Sequence, residues 1–197
     1  MTTPHLPVHP NLHGNFRKLL PTETVLFRDH LLRLDLDSRR LRFTNAVPDD
    51  YIASYAMKAG EAGSLVYGYF DNGHLRAAGE LKRASAFWGK TAEAAFSVES
   101  GYTNHGLASE LMGLIIRSAR NRGVRHLILS CLAENSPMQA IARKYANELQ
   151  IDHGDVVADI LPAGADYMSV AAEMYEDRFV LYLAALDHYA RLARQAA

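Results

Sequence analysis

The apolar positions along this chain change period several times, and each change marks an element. The clearest case is residues 64–84, "SLVYGYFDNGHLRAAGELKRA", where two β-rich runs flank Asp-Asn-Gly. Asn-Gly between such runs is a strong hairpin signal, because the tightest turns need two residues that accept positive φ. "TAEAAFSVES", residues 91–100, reads as the next strand. Alternation puts Glu93, Ala95 and Ser97 on one face and Ala94, Phe96 and Val98 on the other. The period then lengthens: Leu107, Leu111, Leu114, Ile115 and Ala119 recur at helical spacing, and Gly123 stands where a helix would end. "VRHLILSCLAE", residues 124–134, reads as a buried strand, and "GDVVADIL", residues 154–161, as another. Between them, residues 135–149 form a helix that Ser136 caps, with Pro137 in its first turn.

Upstream, residues 23–31 read as a first strand, and residues 28–43 and 48–60 as one or two short helices. Asp49 and Asp50 after Pro48 are helix-start chemistry, and Gly60 is placed to end the second helix. Pro4, Pro7, Pro10 and Pro21 exclude a long helix at the start, so residues 1–21 are expected to be an extended arm. Residues 166–197 read as helical. There Met168, Ala172, Tyr175, Phe179, Tyr182, Leu186, Tyr189 and Ala193 make a heptad-like seam, for packing on the same domain or on a second copy. Hairpins followed by strand–helix–strand–helix–strand give an α/β (α+β) class with a mixed sheet.

Composition narrows the partners. The 197 residues favour one domain. Lys and Arg number 21 against 22 Asp and Glu, so no general basic face exists for nucleic acid. No apolar run reaches the length of a membrane span, and the first residues lack a cationic-then-apolar leader pattern. The single cysteine, Cys131, excludes an intrachain disulfide and points to the cytoplasm. His5, His9 and His13 are spaced for a helical metal site, but the prolines between them remove the helix, so no metal is expected. Arg117, Arg120, Arg122 and Arg125 gather near a helix end. A solvated face is the plain reading, and a contact to a ribose phosphate or an acidic partner the sharper one.

The stretch from Val98 through "GYTNHGLA" to the helix at Leu107 resembles the cofactor motif of the GNAT superfamily of acyl-CoA N-acyltransferases. That motif is an apolar strand, then Gln/Arg-x-x-Gly-x-Gly/Ala opening a helix. Gly106 and Ala108 match it, while Thr103 stands in the Gln/Arg place. Downstream, Asn135 and Met138 match the family's Asn-x-x-Met segment. The resemblance covers roughly residues 24–162. It implies a mixed, mostly antiparallel sheet splayed at its centre and flanked by helices, with a C-terminal helical extension. It divides the chain into the arm at 1–21, the acyltransferase domain at 22–165 and the helix at 166–197.

The same resemblance implies acetyl-CoA as cosubstrate and direct attack by an amine in a ternary complex. A small-molecule amine or a protein lysine is the expected acceptor, and a homodimer is an open arrangement. Backbone N–H groups at a helix N-terminus suit a pyrophosphate, because four of them lack partners and the dipole favours negative charge. The implied cofactor-binding residues are Phe96, Val98, Thr103, Asn104, His105, Gly106, Leu107, Ala108, Ser109, Asn135 and Met138. Glu93 is the implied general base, with Glu80 as runner-up, and the Val98 N–H polarises the carbonyl. "AEAAFSV" and "SRRLRF" are similar to the bacterial protein-lysine acetyltransferase branch. Ala142 stands where many members carry a Tyr that reaches the leaving thiolate. A non-catalytic acyl-CoA-binding regulatory module is the alternative.

Overall fold

The computed structural model describes residues 12–61, 64–83, 87–152 and 154–195. Its strands are β1 (Asn15–Lys18), β2 (Leu65–Asp71), β3 (His74–Arg83), β4 (Thr91–Val98), β5 (His126–Leu132), β6 (Glu148–Asp152) and β7 (Asp155–Ile160). The α-helices are α1 (Thr24–Arg33), α2 (Leu36–Phe43), α3 (Asp49–Glu61), α4 (Leu107–Asn121), α5 (Ser136–Tyr145) and α6 (Tyr167–Gln195). One sheet runs in the order β1-β2-β3-β4-β5-β7-β6, antiparallel everywhere except between β4 and β5. The mixed, mostly antiparallel sheet expected from the sequence is therefore present.

Two cores sandwich it. On one face α4 buries Leu107, Leu111, Met112, Ile115 and Ala119 against Ala77, Leu81, Ala94 and Phe96. On the other, α1 and α3 bury Phe27, Leu31, Ile52 and Ala56 against Val66, Phe70 and Ala78. The hairpin closes as expected: Asn72 at φ 51° and Gly73 at φ 76° both take the left-handed region that the tight turn requires. Gly123 at φ 72° follows the end of α4.

Four local expectations are corrected. Residues 23–31 are not a strand; they lie mostly in α1, because Phe27, His30, Leu31 and Leu34 are buried at helical spacing while Val25 is exposed. The N-cap of α5 is Asn135 rather than Ser136: its side chain accepts from the Met138 N–H at 3.2 Å. That helix stops at Tyr145, and the residues beyond it form β6, an edge strand paired to β7. Asn15–Lys18, within the expected arm, form the opposite edge strand through register with Tyr67–Phe70.

The last helix is continuous and packs with its polar side. Buried Glu173 accepts from Lys18 Nζ (2.7 Å), Ser118 Oγ (2.9 Å), Arg122 (2.8 Å) and Asn121 (2.7 Å), which ties α6 to β1 and α4. Asp187 accepts from buried Arg17 at 2.8 Å, and Arg17 also holds Glu23. Arg117 and Arg120 pair with Glu176 and Asp166. Three of the four clustered arginines thus anchor α6, which replaces both the solvated-face and the phosphate readings for them. The heptad-like seam faces outward instead, with Tyr175, Tyr182 and Tyr189 at 65%, 61% and 69% exposure.

Burial opposes ionisation of Glu173, yet Lys18, Asn121 and Arg122 hold its carboxyl down at about 2. A folded-state value below the ordinary 4.5 contributes stability above that value, which is lost as pH falls towards about 2. Glu173→Gln is expected to cost roughly 2 to 3 kcal/mol at neutral pH by stranding buried cations. Urea unfolding at pH 7 and pH 3 checks it: the gap between variant and wild type narrows at the lower pH.

Candidate active site

The central strands do not stay paired along their whole length. The parallel ladder of β4 and β5 runs from Thr91–His126 to Ala94–Leu129, although β4 continues to Val98 and β5 to Leu132. On its other edge β4 is in unbroken register with β3 from Ala92–Arg83 to Val98–Ala77. No bulge interrupts β4, so strict alternation holds. The Glu99 N–H donates to the Arg76 carbonyl at 3.0 Å on the β3 side. Alternation then turns the N–H and C=O of Val98 and Phe96 to the opposite edge, where β5 has splayed away.

That edge opens on a cavity of about 360 Å³. Its lining includes Phe96, Val98, Thr103, Asn104, Gly106, Leu107, Ala108, Ser109, Asn135 and Met138. The structure thus brings together every residue expected to hold the cofactor except His105, which does not line the cavity. Gly106 is the N-cap of α4 at φ 78°, and Asn104 is also left-handed at φ 62°. Two left-handed residues just before a helix turn backbone N–H groups into an anion-binding concavity. A Cβ at Gly106 meets no atom within 4 Å, so the side facing it is open space. The residues present therefore fit a phosphate-bearing cofactor, with backbone donors in place of the side chain that Thr103 lacks.

Helix α2 roofs the site through Ser38, Leu41 and Arg42. Its N-cap is Asp35, which accepts from the Ser38 N–H. Leu41, Arg42, Phe96, Asn135 and Met138 also line a second cavity of about 280 Å³. Glu93 lies there with Phe43, Tyr51, Tyr55, Lys82, Cys131 and Asp155. Its side chain is 49% exposed and sits 3.0 Å from Lys82 Nζ. Phe43, Tyr51 and Tyr55 pack as one aromatic wall, with ring centroids 5.4 Å to 6.4 Å apart.

The runner-up, Glu80, is buried and lines neither cavity. Its Oε2 accepts from Arg42 at 2.8 Å and from the Tyr55 hydroxyl at 2.6 Å. Burial, with Glu80 beside it, pushes the Tyr55 hydroxyl well up, so it stays a neutral donor. Burial and Asp155 raise the Cys131 thiol, which argues against a thiolate nucleophile. Ala142 is fully buried in the core, and Tyr145 packs against that core without lining either cavity. Tyr102 lines the first cavity, a residue that motif reading passed over. Its hydroxyl donates to Asp71 at 2.6 Å and is pushed up to about 12 by burial and that carboxylate. Among the described residues, no group of His, Cys, Asp and Glu is arranged to hold a metal ion, and no helix is long and apolar enough to cross a membrane. His5 and His9 lie outside the described residues.

Comparisons with known proteins agree with this geometry. No curated protein matches the sequence. Among solved structures, the GNAT domain of S. lividans PAT superposes with a TM-score of 0.62 at 18% identity, over 75% of this chain and 90% of that one. A putative acetyltransferase from Salmonella typhimurium, solved with its cofactor acetyl-CoA, gives 0.55 at 15%, over 79% and 99%. A ribosomal-protein-alanine N-acetyltransferase from Brucella melitensis gives 0.57 at 18%, over 75% and 99%. At such identities the likeness is one of fold. The family model for the Acetyltransferase (GNAT) family matches residues 29–146, which span α1 to α5 and both halves of the splayed site. By that match, this chain belongs to the GNAT acetyltransferase family.

Proposed function

We propose that the protein is an acetyl-CoA-dependent N-acetyltransferase that moves the acetyl group to a primary amine by direct attack in a ternary complex. The observation that carries this reading is the open β4 edge at Phe96 and Val98, which leads to the α4 N-terminus on one side and to the Glu93 cavity on the other. Pantetheine amides would pair with that edge as an added strand does. The pyrophosphate would meet the N–H groups around Gly106, Leu107 and Ala108. The acceptor ammonium would enter the second cavity, where aromatic side chains suit an alkyl stem and Glu93 and Asp155 suit its charge.

Glu93 removes the ammonium proton, directly or through water, and the amine attacks the thioester carbonyl. The Val98 N–H, turned towards the splay, stabilises the developing oxyanion. The nitrogen sheds its second proton to water as the C–S bond breaks, and CoA leaves as a thiolate, a fair leaving group without a tyrosine at position 142. The acceptor is a small-molecule amine or a protein lysine. The outward α6 seam supports a second copy of the chain as partner. Light scattering tests this: a monomer mass at micromolar concentration would sink the dimer.

Glu93→Gln is expected to lower kcat about 100-fold or more while acetyl-CoA binding, measured by calorimetry, stays within about twofold. Binding with no turnover of any amine by the wild type would instead favour a CoA-binding regulatory module, to which buried Ala142 lends support. Gly106→Ala is expected to cost about 1 to 2 kcal/mol through its left-handed backbone. The new Cβ would also project towards the phosphates and weaken acetyl-CoA about tenfold. Thermal unfolding and calorimetry on the same variant separate the two effects.

A further inference from the structure

Three buried side chains beside the cofactor cavity have no part in amine acetylation as described. His30 comes from α1, Ser97 from β4 and Glu99 from the residue after β4. The Ser97 Oγ lies 2.9 Å from His30 Nε2, and His30 Nδ1 lies 3.2 Å from Glu99 Oε1. His30 is 0% exposed and Ser97 6%. Ser97 nevertheless lines the cavity, between Phe96 and Val98, which line it too.

The protonation pattern follows from the charges. Burial alone would raise the Glu99 carboxyl, but His30, Arg76 and Arg33 hold it down at about 2. Arg33 Nε donates to it at 3.0 Å and Arg76 at 2.8 Å. An ionised carboxylate only accepts, so the His30 proton resides on Nδ1. Burial keeps the imidazole below its ordinary value, hence neutral, despite Glu99. Its Nε2 lone pair therefore faces Ser97, whose hydroxyl donates its hydrogen inward and is left with oxygen lone pairs. This is the order of roles in a serine hydrolase: nucleophile, base, and an acid that fixes the tautomer. The parallel extends to the backbone. The N–H of the residue after the nucleophile commonly serves as an oxyanion donor, and here that residue is Val98, whose N–H points to the splay.

We propose that Ser97, His30 and Glu99 form a nucleophilic triad that gives this protein a second activity, hydrolysis of acetyl-CoA through an acetyl-Ser97 ester when no amine is bound. The inference rests on acetyl-CoA occupying the first cavity. The Ser97 Oγ bonds to the thioester carbonyl carbon as its proton passes to His30 Nε2. The C–S bond breaks, and the CoA sulfur takes that proton from the imidazolium. Water then attacks the acetyl ester with His30 again as base, releasing acetate and restoring the Ser97 hydroxyl. Glu99 acts through His30 and is a positioning residue.

The test uses the full chain with acetyl-CoA and no amine, following free CoA thiol and the protein mass after acid quench. The expected result is a burst of CoA and an added acetyl group that maps to the Ser97 peptide. Ser97→Ala is expected to abolish both, and His30→Gln to slow amine-free release about 100-fold. Ser97→Cys keeps a nucleophile in place and is expected to restore the adduct as a hydroxylamine-sensitive thioester. Acetyl-CoA binding is measured on the same samples. Binding with neither burst nor adduct, or release undiminished in Ser97→Ala, overturns the triad and leaves amine transfer standing. Absence of acetyl-CoA binding overturns both.

Discussion

Everything at this site depends on the loss of pairing between β4 and β5 beyond Ala94 and Leu129. A strand inside a sheet normally spends its N–H and C=O groups on both neighbours. Here Phe96 and Val98 keep one edge of β4 unspent while β3 holds the other edge in strict register. The open edge is therefore held in register as well as available, which is what an added strand needs. The divergence has local support on each side. α4 buries Leu107 and Leu111 against β3 and β4, and α5 is capped by Asn135, so the wedge between the strands is walled by helices.

Around that wedge the charges are sorted by environment. Glu80, Glu99 and Glu173 are buried and each meets at least one arginine, so none is left uncompensated, and their partners hold the Glu99 and Glu173 carboxyls down at about 2. Glu93 differs: it is half-exposed, lines the second cavity and pairs with Lys82 at 3.0 Å. The last helix inverts the usual arrangement, with ion pairs inward and tyrosines outward. The inner surface it meets, built from Arg17, Lys18, Arg117 and Arg122, is itself cationic and demands acidic partners.

Much of this was legible in the chain. The Asn-Gly hairpin, the strand at 91–98 and the helix after Gly106 follow from local chemistry, because turns and helix starts are decided within a few residues, while the convergence of the motif residues on one cavity was implied by the family resemblance. The misreadings share a cause. Residues 23–31 looked like a strand until burial showed which of their apolar positions face the core. The two edge strands, β1 and β6, are short and partly polar, so only their neighbours make them strands. The arginines at 117, 120 and 122 have no local signature that tells a phosphate contact from an ion pair with α6.

By itself, then, the sequence determined the hairpin turn, the strand at 91–98, the helix after Gly106 and the alternation that sets Glu93 on the face opposite Ala94 and Phe96, since these depend on backbone preference and period. Only the tertiary structure decided where β4 and β5 part, that Glu80 is locked by Arg42 and Tyr55, which face of α6 turns inward, and that His30 meets Ser97 and Glu99 across 67 and 69 residues of chain. Those are contacts between segments far apart in sequence, and no local preference encodes them. They are set by how the two cores pack against opposite faces of one sheet.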